Sequence, residues 1–339
     1  MSELPKTQKA VIFNTNTTQL SLSTTAPVPT GPPEEHIIKV HSTAITNGEL
    51  TWGPFVNWPV EHVPGFDVSG TIVTTVPGSK FQVGDKVYGR IGAAREGAAR
   101  QYATILPSET ALVPEGLDMV DAASVPMSAH TAWQALFEKG LITGSFSPSS
   151  VPHVGKDGNF VGDQAKGKRV LVLGAAGGVG FLAVQFGKLA GATVFGTASA
   201  RNRELLEGLG IDGVIDYNKT SMKDWISGDE EKKFDLVFDC VGGKSMLDGW
   251  NAVKENGVYV SVVVGFKEPD EGKPAGVKSI WFIMDARGPE LEAIGKIIAK
   301  GLITTSVDSI WAIEEYENAF KKTATGHAKG KVVIKVTDN

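Results

Sequence analysis

Residues 169–217 read RVLVLGAAGGVGFLAVQFGKLAGATVFGTASARNRELLEGLGIDGVIDY, and no other stretch constrains the fold as strongly. A short apolar run, 170–173, breaks into the glycines Gly174, Gly177, Gly178 and Gly180. An apolar segment of helical length, 181–190, follows, and then a second apolar run at 193–196. Strand, glycine turn, helix and strand in this order make the βαβ unit that carries a dinucleotide. Glycines let the backbone approach a pyrophosphate, and the helix start at Val179–Gly180 offers it free N–H groups and the positive end of the helix dipole. The spelling GAAGGVG is not a strict G-x-G-x-x-G, so the plain alternative is a tight turn without a ligand; the flanking strand and helix favour the dinucleotide. A P-loop is excluded, because no G-K-[ST] follows the first glycine at the required spacing. The apolar run 170–187 holds five glycines and breaks at the turn, which argues against a membrane span.

Charge indicates which dinucleotide is held. An NAD site usually carries Asp or Glu at the end of the second strand, on the ribose 2′-OH. Here that strand runs into Thr197, Ala198, Ser199, Ala200, Arg201, Asn202 and Arg203, with no carboxylate before Glu204. A small hydroxyl beside two arginines suits a 2′-phosphate, so the expected cofactor is NADPH. The alternative is that both arginines only solvate the first turn of a helix over 201–209. Their position opposes the helix dipole, a cost that a bound phosphate would remove.

A length of 339 residues suits two domains. The net charge of −5 leaves no basic footprint for nucleic acid. The first residues, MSELPKTQKAVIF, contain no apolar signal segment, and Cys240 is the only cysteine. An intrachain disulfide and a four-cysteine zinc site are therefore impossible, and a cytoplasmic setting is expected. Cys240 ends the apolar run 234–239 and reads as a core thiol.

Residues 1–127 alternate short β-like runs (36–40, 68–73, 86–88, 101–105) with proline, glycine and threonine, as in an irregular barrel. The pattern at 122–139 predicts one helix with Val125, Ala129, Trp133, Leu136 and Phe137 on a face. Residues 143–167, rich in Ser, Pro, Gly and Asp, read as a surface excursion. Further strands are expected at 214–216, 235–240, 257–264 and 279–284, with helices at 203–209 and 244–254 between them. With the first two these make six strands, the number in a full doubly wound sheet. An amphipathic helix is expected at 290–300, with Leu291, Ile294, Ile297 and Ile298 inward, and a last strand at 331–336.

This order of elements resembles the medium-chain dehydrogenase/reductase superfamily, and within it the zinc-free quinone oxidoreductase and enoyl reductase branch. The resemblance runs through Pro64–Gly65–Phe66–Asp67–Val68–Ser69–Gly70, Val83–Gly84–Asp85–Lys86–Val87–Tyr88–Gly89, the turn at Gly174–Gly180 and Gly330–Lys331–Val332–Val333–Ile334. It implies an α/β protein with a GroES-like irregular β-barrel catalytic domain (1–127 and 286–339) and a doubly wound Rossmann domain (128–285). Zinc-dependent members carry a cysteine ligand after the second long strand and a histidine ligand in G-H-E-x-x-G. This chain has Asn47 and Phe66 at those places, so no metal is expected. His62 and Asp67 lie nearby in sequence and read more naturally as surface and turn residues.

Without metal, the chemistry left is hydride delivery from the nicotinamide to an already electrophilic carbon of an enone, enoyl ester or quinone. The resemblance places Asn47, as the catalytic candidate, and Thr131 near the nicotinamide and its ribose. It places the turn (Gly174, Ala175, Ala176, Gly177, Gly178, Val179, Gly180) under the pyrophosphate, and Ser199, Arg201 and Tyr217 around the 2′-phosphate. Cys240, Val241, Gly242, Val264 and Gly265 fall at strand ends facing the cofactor, and Lys331 approaches it from the other domain. Each has a plainer reading: Asn47 as a turn former before Gly48, Thr131 as a helix-surface residue, Tyr217 as an edge aromatic. Some relatives draw a proton from a tyrosine after Asn47; here that segment offers Trp52, Phe55 and Trp58, which cannot act as general acids.

A short-chain reductase is disfavoured because no Tyr is followed by Lys four positions on, and a serine hydrolase because G-x-S-x-G is absent. Zinc-free carbonyl reduction and a nucleotide-binding, non-enzymatic role stay open. The expected partners are a small-molecule substrate and a second copy of the chain. The apolar run 279–284 stands at a sheet edge that a homodimer would cover, unless the loop 267–278 covers it. Neither nucleic acid nor membrane is expected.

Overall fold

Short strands separated by turns fill the first third of the chain: β1 (Thr7–Asn14), β2 (Gln19–Pro27), β3 (His36–Ile45), β4 (Glu61–His62), β5 (Asp67–Thr74), β6 (Lys86–Arg90), β7 (Tyr102–Ile105) and β8 (Thr110–Leu112), with a one-turn helix α1 (Gly53–Val56) between β3 and β4. This computed structural model describes residues 4–140 and 165–338. The β1–β2 hairpin was not legible in the sequence, because β2 is mostly polar and none of its residues is buried. Its turn is closed by Asn14, whose Oδ1 accepts from the N–H groups of Asn16 and Thr17, both at 3.0 Å.

The expected single helix over 122–139 is broken. α2 (Met119–Ser124) stops before Pro126, α3 (Pro126–Trp133) starts on it, and residues 134–140 continue as a wider π-type turn. Proline has no N–H to give the preceding turn, so it ends one helix and opens the next. The five residues assigned to the apolar face are all buried.

The chain then builds one parallel sheet from β9 (Arg169–Leu173), β10 (Thr193–Ala198), β11 (Gly213–Asp216), β12 (Phe234–Asp239), β13 (Val253–Ser261) and β14 (Lys278–Trp281), in the order β11-β10-β9-β12-β13-β14. Helices α4 (Gly178–Leu189), α5 (Arg203–Glu207), α6 (Met222–Ile226) and α7 (Gly243–Gly249) connect the strands. The helix expected to reach residue 254 stops early, because Val253 already pairs with Phe234 in the sheet. The sixth strand is shorter than its apolar run and ends at Trp281. Leu171, Leu173, Val237, Trp250 and Tyr259 pack together in the core of this sheet, and Tyr259 Oη donates to the Met246 carbonyl at 2.7 Å. The excursion expected at 143–167 lies almost wholly outside the described residues.

After α8 (Gly288–Ala299) come β15 (Val307–Ala312), α9 (Tyr316–Ala324) and β16 (Lys331–Lys335). Leu291, Ile294 and Ile297 form the buried stripe of α8. β16 pairs with β3 and completes the sheet β15-β16-β3-β5-β6-β8, with β7 on β3 and a separate sheet β2-β1-β4. Two units result: Met1–Met127 with Ala286–Ala299 and Thr305–Asn339, and Ser128–Asp285 with Lys300–Thr304. The short piece 300–304 goes with the second unit because Gln185 holds Thr304, accepting from its N–H at 2.8 Å and donating to its carbonyl at 3.1 Å.

Candidate active site

In the second unit the strand order reverses between β9 and β12, the switch point at which doubly wound sheets bind ligands. The turn at Gly174–Gly180 leaves β9 there. Gly174 has φ +78°, and at Gly180 a Cβ would collide with the Gly174 carbonyl, so both positions require glycine. Gly177 caps α4 without a side chain, and the first intrahelical bond of the turn is Phe181 N–H to Gly177 O at 2.8 Å. The N–H groups of Gly178, Val179 and Gly180 therefore stand without helical acceptors, as an anion site needs. β10 pins this turn: Thr197 Oγ1 accepts from Gly174 N–H and the Thr197 carbonyl from Ala175 N–H, both at 3.0 Å.

The end of β10 separates the two arginines. Arg203 is committed, with Nη1 on Glu207 at 3.4 Å and Nη2 on the Val214 carbonyl at 3.1 Å. Arg201 is exposed and makes no ion pair among the described residues. Ser199 Oγ and Asn202 Oδ1 are buried without hydrogen-bond partners in the described structure. Asp216 pairs in register with Ala198, which sets Tyr217 level with Ser199 at the strand ends. The Asp216 carboxylate is turned to Asn218, accepting from its backbone N–H at 3.0 Å. A free guanidinium and an orphaned hydroxyl at one strand end fit a phosphate ester, and Asn202 is a member of this group that sequence reading passed over.

β12 ends at Asp239, which is fully buried. Its Oδ1 accepts from the N–H groups of Val241 and Gly242, both at 2.9 Å, and its Oδ2 from Ser261 Oγ at 2.8 Å. This clamp holds Val241 and Val264 exposed at the ends of β12 and β13, beside Gly242 and Gly265, both with positive φ. Burial, and then Asp239, push the Cys240 thiol well up, so it stays protonated. Thr131 is buried on α3.

In the first unit the end of β3 turns at Asn47–Gly48, and Asn47 is exposed on that turn. The inward residues are its neighbours. Thr46 Oγ1 accepts from Lys331 Nζ at 2.8 Å and donates to Met127 Sδ at 3.2 Å. Lys331 Nζ also lies 3.1 Å from Asp67 Oδ2, and Asp67 Oδ1 accepts from Met127 N–H at 2.8 Å. Glu49 is buried, with Oε2 accepting from Thr46 N–H at 2.7 Å and Oε1 from Gly65 N–H at 2.8 Å. Burial pushes its carboxyl up to about 7, against those two hydrogen bonds and Lys331, which pull it down. Thr46, Glu49 and Asp67 are the residues the sequence reading missed or set aside; the clue was their place at the two turns that flank the ligand positions.

Phe66 lies in an aromatic group. Its ring centroid is 5.5 Å from Trp52, 5.8 Å from Trp58 and 5.9 Å from His62, and the Arg90 guanidinium lies over it at 5.8 Å. His62 is stacked on Trp58 at 4.0 Å with Nδ1 3.4 Å from Glu96 Oε1, so it is a core residue rather than a surface one. Of the three aromatics after Asn47, Trp58 is buried, Trp52 half-buried on Phe66 and Phe55 69% exposed, so they do not form a single lining.

The fold agrees with comparison to known proteins. Residues 32–115 match the model of the alcohol dehydrogenase GroES-like domain and residues 209–334 that of the zinc-binding dehydrogenase. A probable zinc-binding oxidoreductase, mitochondrial, of Arthroderma benhamiae is 39% identical over 99% of both chains. The chain belongs to the medium-chain dehydrogenase/reductase superfamily. An NADPH-dependent alkenal/one oxidoreductase, chloroplastic, of Arabidopsis thaliana is 29% identical over 98% of this chain and 81% of its own. The quinone oxidoreductase of Coxiella burnetii superimposes with a TM-score of 0.79 at 26% identity, over 97% of this chain and 99% of the other. Members of the superfamily are oxidoreductases that use nicotinamide cofactors, and the turn, free helix N–H groups and strand ends of the second unit fit such a dinucleotide.

The zinc of the metal-dependent members does not fit this donor set. Phe66 has no lone pair and is packed among rings, Asn47 is turned outward, and the Asp67 carboxylate is taken by Lys331 and Met127 N–H. Among the described residues no three His, Cys, Asp or Glu side chains gather to hold an ion.

Proposed function

We propose that this protein is a metal-independent, NADPH-dependent reductase of activated C=C bonds or quinones. The observation that carries the reading is the aromatic packing around Phe66, where a zinc enzyme needs a histidine. A chain without a Lewis acid at that point must act on a carbon that is already electrophilic. Bound NADPH supplies the hydride. The turn amides of Gly178, Val179 and Gly180 hold its pyrophosphate, Arg201 and Ser199 hold its 2′-phosphate, and Val241 and Val264 give the nicotinamide end an apolar wall that excludes water. The names of the A. thaliana and C. burnetii relatives, an alkenal/one oxidoreductase and a quinone oxidoreductase, support the substrate class. A homodimer joined along β14 and a cytoplasmic setting complete the reading. The A. benhamiae relative bears "mitochondrial" in its name, and imaging of the tagged full chain decides the compartment.

The test is NADPH oxidation against a panel of enones, enoyl thioesters, quinones and saturated ketones, before and after dialysis against a strong chelator. Turnover of enones or quinones, unchanged by the chelator, is the expected result. Turnover of saturated ketones alone would make it a carbonyl reductase. NADPH binding without turnover of any compound would make it a binding protein.

A further inference from the structure

In the second unit, strand pairing on both sides of β13 ends at Ser261, and the residues that follow leave the sheet with Val264 60% exposed. One of the bonds that hold them comes from the sheet edge: Trp281 Nε1 donates to the Val263 carbonyl at 2.8 Å. We propose that Trp281 is a positioning residue for the nicotinamide half of the cofactor, an inference that rests on the reading above in which Val241 and Val264 face that half.

Val263 ties the segment down in three directions. Its N–H donates to Ser261 Oγ at 3.2 Å, its side chain packs on Gly242, where a Cβ would come within 2.7 Å of it, and its carbonyl accepts from Trp281. The same carbonyl accepts from the Phe266 N–H at 3.1 Å, a bond that closes the segment on itself and does not tie it to the sheet. Ser261 continues the chain inward. Its hydroxyl donates to Asp239 Oδ2 at 2.8 Å, and Asp239 Oδ1 holds the N–H groups of Val241 and Gly242. The two exposed valines therefore hang on one run of hydrogen bonds, buried at Asp239 and Ser261 and anchored on β14 by Trp281.

The indole is not there to fill the core. Trp281 takes no part in the stack of Trp250, Tyr259 and Phe266 that packs this end of the sheet, and its ring is 45% exposed. An indole N–H only donates, and on so open a ring water could satisfy it. It is turned back instead onto the backbone one residue before Val264. A segment fixed before the ligand arrives does not have to be ordered by it, so this bond lowers the cost of binding whatever rests on Val264. The adenosine half lies out of its reach. The glycine turn and Ser199 follow β9 and β10, and β12 and β13 stand between those strands and β14.

The test measures binding to the full chain, without turnover. NADPH, NADH and 2′,5′-ADP, which carries the adenosine half alone, are each titrated by calorimetry. Trp281→Phe keeps an aromatic ring at the edge and removes the N–H. It should weaken NADPH and NADH alike by about threefold to tenfold, the worth of one hydrogen bond, and leave 2′,5′-ADP within about twofold of wild type. NADPH bound to this variant, excited directly in the dihydronicotinamide band, should show a lower fluorescence anisotropy, because that end of the cofactor is held less firmly. Ile283→Ala, on the same edge and without a hydrogen bond to the segment among the described residues, should bind all three as wild type does. A Trp281→Phe chain that binds both dinucleotides as wild type does overturns the inference. So does a loss that extends to 2′,5′-ADP, which would make Trp281 a support of the whole unit, and so does an equal loss in Ile283→Ala, which would move the effect to the edge in general. A wild type that binds neither dinucleotide overturns the cofactor reading itself. A wild type that prefers NADH overturns only the choice of NADPH, and AMP then serves as the adenosine probe.

Discussion

Lys331 Nζ, at the start of the last strand, lies 3.1 Å from Asp67 Oδ2, at the start of β5, and both side chains are buried. Residues 264 positions apart thus neutralise each other at the point where the two turns of the first unit meet. Lys331→Met would leave the Asp67 carboxylate without its cation. A broken buried pair costs about 3–5 kcal/mol. Urea denaturation should show a loss of that size, and the double variant Asp67→Asn/Lys331→Met should recover part of it. A loss below about 1 kcal/mol, the range of an exposed pair, would contradict the burial of this one.

Arg201 and Arg203 differ in what they already hold. Arg201→Ala should weaken NADPH binding by about 1.5–3 kcal/mol, the worth of a hydrogen bond to a charged group, and leave NADH binding nearly unchanged. Arg203→Ala should do much less, because its guanidinium is on Glu207 and the Val214 carbonyl. Titration of both cofactors against wild type and the two variants checks this. Equal losses for NADPH and NADH, or a larger effect at Arg203, would refute the assignment.

Glu49 makes stability depend on pH. Its carboxyl is pushed from 4.5 to about 7 by burial, so folding favours the protonated form. The contribution is complete below 4.5 and is lost as pH rises through 7. Glu49→Gln removes this dependence, though it costs stability of its own, since an amide offers one acceptor to two N–H donors. Between pH 5 and pH 8 wild type should therefore lose on the order of 2–4 kcal/mol relative to Glu49→Gln. Urea midpoints of both proteins at the two pH values measure it. A constant difference between them would mean that Glu49 titrates as an ordinary carboxyl.

β14 ends its sheet with an edge that pairs with no other strand among the described residues, and Trp281 and Ile283 are 45% and 70% exposed there. An exposed apolar edge invites pairing, and pairing with its own copy closes a two-fold assembly. Light scattering at micromolar concentration should give a dimer, and Ile283→Glu a monomer. A monomeric wild type would end the proposal.

The sequence by itself determined the second unit closely. Parallel strands buried on both faces read as apolar runs, and the glycine turn is spelled locally, since Gly174 and Gly180 are required by backbone geometry a few residues long. The arginine pair was legible as a pair, because charge at a strand end needs no tertiary knowledge. Which arginine is free was decided by the fold: Glu207 lies one helical turn beyond Arg203, and Val214 on the neighbouring strand, while no group among the described residues pairs with Arg201. The break at Pro126 was written in the sequence, but apolar periodicity running through it outweighed it.

The first unit was the reverse. Its strand β2 and its helix α9 are polar enough to escape a pattern search, and they form because the barrel core covers one side of each. Its site depended on which residues of a turn face inward. The resemblance placed Asn47 and Phe66 at the ligand positions, where neither side chain replaces a cysteine or a histidine. It could not tell that Thr46 rather than Asn47 meets Lys331, or that Glu49 and Asp67 tie the two turns together. Those contacts join β3, β5 and β16, which are distant in the chain, and only the pairing of β16 with β3 brings Lys331 to Thr46. A buried charge has no sequence signature of its own, because its partner comes from another strand of the sheet and the low dielectric around both comes from the packing.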